Sequence, residues 1–424
     1  MITWLPGREQ TSLNGTWRAI IDVYDVGVGG GPFSRDPRWG FPADRSFDSP
    51  GRRSEYDFDR ADAVDVPGDW NTQRERWHFY EGIMWFRRQF HCDRRPGRRY
   101  LLHVGAANHR ASVYLNGVLV GEHEGGYGPF DIDVTEQLRA PDETNSLVVS
   151  VDNTRRPDAV PTTHTDWFNY GGLLRDVTLV DVPATFIRDA VVQLAPDDPS
   201  VITVDVELDG DRAEQSVSVH VGGVLVGELR TDGRGRGTAR FPAPDDLMLW
   251  APGDPVLHDV TVRAESDEVT DRIGFRTVTT QGSEILVNGE ATFLAGISLH
   301  DEALGEPVRR IRTEDEARAV LTQALEVGAN FVRLAHYQHH EATVRLCDEL
   351  GLLAWCEIPV YWGIDWANEA TYASASSQLH ELVVRDRNRA AVILWSVANE
   401  TRDTPDRARF LGDLVATAKR LDPT

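Results

Sequence analysis

The side chains most able to do chemistry stand at the ends of short apolar runs in the last third of the chain. Residues 391–400 read Ala-Val-Ile-Leu-Trp-Ser-Val-Ala-Asn-Glu, an apolar strand closing on an amide and a carboxylic acid. So apolar a strand is expected to be buried on both faces, as in a parallel sheet wrapped by helices, with polar groups at its carboxyl end projecting into a barrel mouth. Glu400 is therefore the candidate proton donor. Capping the helix that follows is the plainer role, and taken alone Glu400 suits either. Three earlier runs end in the same manner: the first in His300, Asp301 and Glu302, the second in Arg333, His336 and Tyr337, the third in Glu357 with Tyr361 and Trp362 just beyond. One histidine or arginine at a strand end is more often a satisfied packing residue, but repetition over successive strands marks a pocket. Carboxylates, imidazoles, a guanidinium and indoles together suit a polyhydroxylated ligand: aromatic faces cover C–H patches while polar groups read hydroxyls. Cleaving a glycosidic bond requires one carboxylic acid to protonate the leaving oxygen and a second carboxylate to attack the anomeric carbon or activate water. Glu400 fits the first role, and Asn399 is placed to bond the sugar 2-hydroxyl.

The elements that must position these residues begin after Gln281, where the pattern alternates strand and helix and so implies parallel strands joined by crossovers. Strands are expected at 292–297, 330–334, 352–357 and 391–398. Helices are expected at 313–326, 341–350, 376–388 and 404–421, with Thr313 as cap and Glu316 completing a capping box. That makes four strand and helix pairs, half of a closed (β/α)8 barrel. Upstream, short strands broken by glycine and proline turns predict a jelly-roll sandwich over residues 1–182, clearest at 100–104, 111–115 and 146–151. Asn116-Gly117 is a two-residue hairpin signal within it. Its loops carry Trp70, Trp77, Tyr80, Trp85, Tyr127, Trp167, Phe168 and Tyr170, expected mainly to pack. Residues 183–280, with alternating stretches at 201–206 and 216–219, suit an immunoglobulin-like sandwich. The fold class expected is thus multidomain: a jelly-roll β-sandwich, an immunoglobulin-like β-sandwich, then the first half of a TIM barrel over 281–424.

Composition bounds the partners. Among 424 residues, 67 acidic side chains face 44 basic ones, for a formal net charge of −23. Nucleic acid is excluded as an expected partner, since a phosphate-binding surface needs basic patches. Cys92, Cys347 and Cys356 have no metal-ligand or disulfide-framework spacing and read as reduced core thiols. Residues 1–15 lack a basic segment followed by an apolar run, and no stretch is long and apolar enough to span a bilayer, so the expectation is a cytoplasmic protein without a membrane partner.

Motifs in order along nearly the whole chain resemble glycoside hydrolase family 2, the group of β-glucuronidases, β-galactosidases and β-mannosidases. Val66-Pro67-Gly68-Asp69-Trp70-Asn71, the stretch from Tyr80 to Arg88, and Gly125-Gly126-Tyr127-Gly128-Pro129-Phe130 are similar to that family's jelly roll. Asp166-Trp167-Phe168-Asn169-Tyr170-Gly171-Gly172 resembles the loop reaching from that domain into the active site, which makes Asp166 a candidate for binding a sugar hydroxyl. Trp250-Ala251-Pro252-Gly253-Asp254-Pro255 and Gly274-Phe275-Arg276 resemble the close of the middle domain. Most specific are Asn330-Phe331-Val332-Arg333-Leu334-Ala335-His336-Tyr337 and Trp395-Ser396-Val397-Ala398-Asn399-Glu400, the latter similar to the family's acid/base signature.

The resemblance implies a retaining exo-β-glycosidase acting on a terminal β-linked sugar. Glu400 is the acid/base, and the substrate-binding set is Asp166, His300, Arg333, His336, Glu357, Trp362 and Asn399. The nucleophilic glutamate belongs at the end of the seventh barrel strand, beyond these 424 residues, so the fragment by itself is expected to be inactive and truncated at its C-terminus. Glu357 matches a position that supports the site and, among the galactosidases, binds magnesium; otherwise no metal or cofactor is implied. A full-length homo-oligomer is compatible with this architecture. Thr401 after Glu400, Gln338 after His336-Tyr337, and Ser298-Leu299 before His300 depart from the common wording and bear on which sugar is bound. The wording is nearest to the β-glucuronidases, though the asparagine and lysine pair that grips a uronate would lie downstream. Three alternatives stay open: a β-galactosidase of the same family, a non-catalytic carbohydrate-binding protein with a decayed barrel, and an inverting hydrolase.

Overall fold

The computed structural model describes residues 1–28, 40–44 and 57–424. The N-terminal part is built on two antiparallel sheets packed face to face, with a small third sheet of Gly68–Asp69, Gly172–Leu173 and Ala107–Asn108. One has six strands in the order Asp62–Val66, Gly15–Asp22, Ile83–Phe90, Asn145–Asp152, Arg110–Leu115, Val118–Glu124; the other has four, Glu9–Ser12, Val177–Pro183, Arg98–Val104, Phe130–Asp133. Alternating apolar residues from both, including Trp17, Phe86, Leu102, Val113, Val149 and Leu179, fill the space between them. Asn116 and Gly117 join two strands with φ of 53° and 84°, the left-handed pair that a tight hairpin demands. Trp70, Trp77 and Trp85 are at most 2% exposed, so these aromatics serve packing, as expected.

A second sandwich follows. Its three-stranded sheet orders Phe186–Ala195, Asp198–Asp209 and Arg236–Pro242, and its four-stranded sheet orders Val224–Arg230, Ser216–Val221, His258–Ala264 and Glu268–Ile273. Val192, Val204, Val219, Val262 and Phe275 form its core.

The remainder is a parallel α/β unit: β1 (Gly296–Leu299), α1 (Glu314–Glu326), β2 (Phe331–Leu334), α2 (Glu341–Leu350), β3 (Leu353–Glu357), α3 (Glu369–Asp386), β4 (Val392–Ser396) and α4 (Pro405–Leu421). The strands pair in chain order, all parallel. Thr313 caps α1 by accepting from the Glu316 amide. The Glu316 carboxylate reaches back to the amide of Arg312 at 2.8 Å, one residue earlier than in a standard capping box. Among the described helices none is long and apolar enough to cross a membrane.

Three local expectations need correction. The first parallel strand lies at 296–299 rather than 292–297, because Glu290–Ala291 instead closes a small antiparallel hairpin on Glu284–Val287. Helix α3 starts seven residues before 376, at Glu369, since the Asn368 side chain caps it by accepting from the Ala370 amide. β4 is not buried on both faces: Ile393, Leu394, Trp395 and Ser396 are half-buried. It is one edge of the four-stranded sheet and β1 is the other, so among the described residues one flank of β4 has no neighbouring strand.

Buried polar links fasten the units together. Arg175, from the first sandwich, donates to Asp301 at 3.2 Å and to the Gln338 carbonyl at 2.7 Å. Arg276 donates to the carbonyls of Ala390 and Val392, which sets the start of β4. Trp250 donates to the Asp348 carbonyl at 2.8 Å, and Asn388 bonds to the backbone of Ala190 and Val192. Cys92, Cys347 and Cys356 are buried and unpaired.

Candidate active site

The four strands deliver their polar residues to one end of the sheet. At its floor lies Glu357, 1% exposed. Both of its oxygens are engaged: Arg333 approaches at 2.9 and 3.0 Å, and His336 Nδ1 stands 3.0 Å from Oε1. The Arg333 guanidinium also donates to Asn399 Oδ1 at 2.6 Å and lies over the Trp355 ring, 4.7 Å from its centroid. These contacts fix Arg333, His336 and Asn399 around one buried carboxylate, so Glu357 acts through the residues it holds. That arrangement does not fit the magnesium of the galactosidase branch: a hard dication wants several free oxygen ligands, whereas this carboxylate is taken by a guanidinium and an imidazole.

The loop from the first sandwich supplies a wall. Trp167 stacks on His336 at 5.7 Å and meets Tyr361 edge-on at 5.1 Å, while its indole N–H donates to the Tyr127 hydroxyl at 3.0 Å. This places Asp166, the preceding residue, 4.0 Å from His336 Nε2, with its side chain 46% exposed. His300 sits beside them, its Nδ1 3.2 Å from the Tyr337 hydroxyl. Burial lowers the His300 pKa, offset only in part by the charge of Glu302. Burial also raises the Tyr361 phenol, and the hydrogen bond to Asp166 and the charges of Asp166 and Glu400 push the same way. Asp166, His300, Arg333, His336, Glu357 and Asn399 are thus brought together.

Glu400 and Trp362 stand slightly apart from that cluster, at its rim. Glu400 is exposed, and its Oε2 accepts from the Trp362 indole N–H at 2.9 Å. The two loops are laced by backbone bonds from Asn399 N–H to the Val360 carbonyl and from Trp362 N–H to the Asn399 carbonyl, at 2.9 and 3.0 Å.

Sequence reading missed a supporting layer. Arg310, 1% exposed, lies over the rings of Tyr337 and Tyr170 at 4.3 and 4.9 Å and bonds to the Tyr337 hydroxyl. It lies in an arginine-rich loop with no periodic or motif signal. Asp301, read as part of the strand-end set, pairs with Arg175 instead of facing the pocket. Burial would raise its pKa, but the charges of Arg175, His339 and Arg310 hold it down at about 2.

Comparison with known proteins agrees with this architecture. The profile for the sugar binding domain of glycosyl hydrolases family 2 matches residues 11–183, and that for the family's TIM barrel domain matches residues 278–424. The chain belongs to glycosyl hydrolase family 2. Within that family it is 29% identical to a β-glucuronidase of Canis lupus familiaris, an alignment covering 99% of this chain and 68% of the relative. It is 30% identical to a β-galactosidase of Thermoanaerobacter pseudethanolicus, over 81% of this chain and 48% of the relative. In three dimensions it matches the β-glucuronidase of Ruminococcus gnavus in complex with D-glucuronic acid with a TM-score of 0.82 at 23% identity, covering all of this chain and 72% of that one. The fold is therefore that of family 2, and the enzyme class is glycoside hydrolase.

Proposed function

We propose that this chain carries the acid/base half of a retaining exo-β-glycosidase site, β-glucuronidase-like in its sugar, with Glu400 as the group that moves the proton. The observation that carries the reading is the junction of β3 and β4. There an indole holds the Glu400 carboxylate at the pocket rim while Arg333 holds the neighbouring Asn399 inside it. A proton donor at the rim meets the glycosidic oxygen, and an amide one residue deeper meets the sugar 2-hydroxyl.

In the first step the Glu400 carboxyl gives its proton to the glycosidic oxygen as the bond to the anomeric carbon breaks and a second carboxylate forms an ester to that carbon. In the next step Glu400, now ionised, takes a proton from the water that displaces the ester. The family resemblance assigns the second carboxylate to a seventh strand. Here the described sheet has four strands, and so the 424 residues assayed alone should turn over neither aryl β-glucuronides nor aryl β-galactosides.

Arg333 is committed to Glu357 and Asn399, so a uronate would be gripped by other residues. The glucuronide assignment rests on the wording of the motifs and on the relatives. β-Galactosidase is the second reading, favoured by the relative of that name at 30% identity.

The test is Glu400→Gln in any form of the protein that turns over. Hydrolysis of alkyl β-glucuronides should fall by about a thousandfold, within the range a general acid supplies. Aryl substrates with good leaving groups should lose less, and azide should restore turnover by forming the β-glycosyl azide. An equal loss for all leaving groups without azide rescue would remove Glu400 from the acid/base role.

A further inference from the structure

We infer that Asp166, His300 and His336 form a binding site for a zinc-class transition-metal ion across the mouth of the pocket. The three residues come from three separate segments: the loop of the first sandwich, the end of β1 and the segment after β2. One donor atom from each lies within 4.8 Å of the others, and His336 Nε2 is 4.0 Å from Asp166 Oδ1. Tetrahedral zinc with bonds of about 2.0–2.1 Å sets its donors roughly 3.4 Å apart, so closure asks each side chain to move by less than about 1 Å. Asp166 has the freedom to do this, being half-exposed.

The imidazoles are already held from behind. His336 Nδ1 lies 3.0 Å from the buried Glu357 carboxylate, which is itself tied to Arg333. Arg333 lies 3.3 Å from the same Nδ1; in the tautomer that carries its N–H on Nδ1, toward Glu357, Nε2 is the lone pair facing Asp166. A carboxylate behind a ligating histidine is the usual outer-shell arrangement of metal sites, because it fixes the tautomer and raises the basicity of the ligating nitrogen. The Tyr337 hydroxyl fixes the ring of His300, and Trp167 packs against both imidazoles. Two imidazoles and one carboxylate select zinc, copper, nickel or cobalt over magnesium and calcium. Three protein ligands leave a coordination position open toward the pocket. A metal seated there takes up donors otherwise aimed at sugar hydroxyls, so it competes with the sugar. Only this last consequence rests on the proposed function; binding itself does not.

The experiment uses the 424-residue chain, stripped with chelator, dialysed, and titrated with zinc chloride by calorimetry and with cobalt(II) by visible absorption. The expected result is one equivalent bound with micromolar or tighter affinity, together with the d–d bands of a nitrogen- and oxygen-ligated cobalt. His300→Ala, His336→Ala and Asp166→Asn should each weaken binding at least about tenfold, whereas His91→Ala, an exposed histidine elsewhere, should leave it unchanged. Asp166→Asn is half-exposed and nearly isosteric, so it keeps the test alive if a histidine variant fails to fold. Binding unaffected by all three variants, thiolate-to-cobalt charge-transfer bands, or equal affinity for magnesium would overturn the site. Metal binding that persists while the Glu400 prediction fails would separate this site from the catalytic reading.

Discussion

The indole N–H of Trp362 donates to the Glu400 carboxylate at 2.9 Å, and both residues hold left-handed backbone conformations, with φ of 54° and 49°. Neither is glycine, asparagine or aspartate, so each position carries a cost of about 1–2 kcal/mol that the surrounding loops must offset. Two such residues in direct contact at the end of a barrel strand make a rigid holder for a carboxylate.

Replacing Trp362 with phenylalanine keeps an aromatic ring and removes the donor. A hydrogen bond to a charged group contributes about 1.5–3 kcal/mol, so kcat/KM for a substrate that needs protonation should fall about tenfold or more. The melting temperature should move little, because Trp362 is 44% exposed. Parallel kinetics and thermal unfolding of Trp362→Phe check this, and a stability loss that accounts for the lost rate would contradict it.

Arg333→Lys should be costly. Lysine has one ammonium where arginine spreads its donors, and it cannot serve Glu357 and Asn399 in the same geometry. The buried Glu357 would lose part of its compensation, at a cost of about 2–4 kcal/mol. Urea unfolding measures it; a change under about 0.5 kcal/mol would mean that His336 suffices to hold the carboxylate.

His339 lies buried in the same unit, with Nε2 2.8 Å from the Ala335 carbonyl. Burial lowers its pKa from 6.5 to about 4. The unfolded chain therefore takes up this proton before the folded chain does, and the stability it contributes is present near neutrality and lost as pH falls from 6.5 toward about 4. Between pH 7 and 5 the loss from this group should be about 2 kcal/mol. His339→Gln, which keeps an N–H for the carbonyl, should flatten that part of the pH–stability curve. An unchanged slope would show that His339 does not titrate this way.

Asp348 behaves in the opposite sense. Burial raises its carboxyl to about 6, and Arg389 at 3.5 Å offsets that only in part. A folded pKa above the unfolded 3.8 means that stability declines as pH rises from about 4 through about 6. Asp348→Asn retains an oxygen for the Ala391 amide, now bonded at 2.8 Å to Oδ1, and Arg389 keeps Asp271 at 2.8 Å. The variant should gain about 1–2 kcal/mol at pH 8 and little at pH 4. Denaturant titrations at the two pH values compare them directly.

Much of the α/β unit was readable from short windows. Thr313 caps the helix assigned to it, α2 spans the residues expected, and the helix expected at 404–421 forms at Pro405–Leu421. Of the strand-end residues, His300, Arg333, His336, Glu357 and Asn399 gather while Asp301 pairs with Arg175. Caps and apolar periodicity act over a few residues, so the chain states them locally. α3 begins earlier than expected because its first two turns, Glu369 to Ser376, are small or polar apart from Tyr372 and state no apolar stripe. The first strand was misplaced because the apolar Phe293 and Leu294 look like strand interior, yet the neighbouring Glu290–Ala291 pairs backward with Glu284–Val287.

From the order of its residues alone, this protein specified a family 2 architecture, four strand ends bearing polar groups, and Asn399-Glu400 as the pair at the last of them. Tertiary structure decided which of those groups gather at one end of the sheet and which hold one another. Arg175 and Asp301 are 126 residues apart and meet inside the molecule, Trp167 reaches over from another unit to wall the pocket, and Glu357 is taken up by Arg333 and His336. The physical reason is one of range. Hydrophobic period and capping are properties of neighbouring residues, whereas pairing of a buried charge depends on what remote segments bring within about 3 Å.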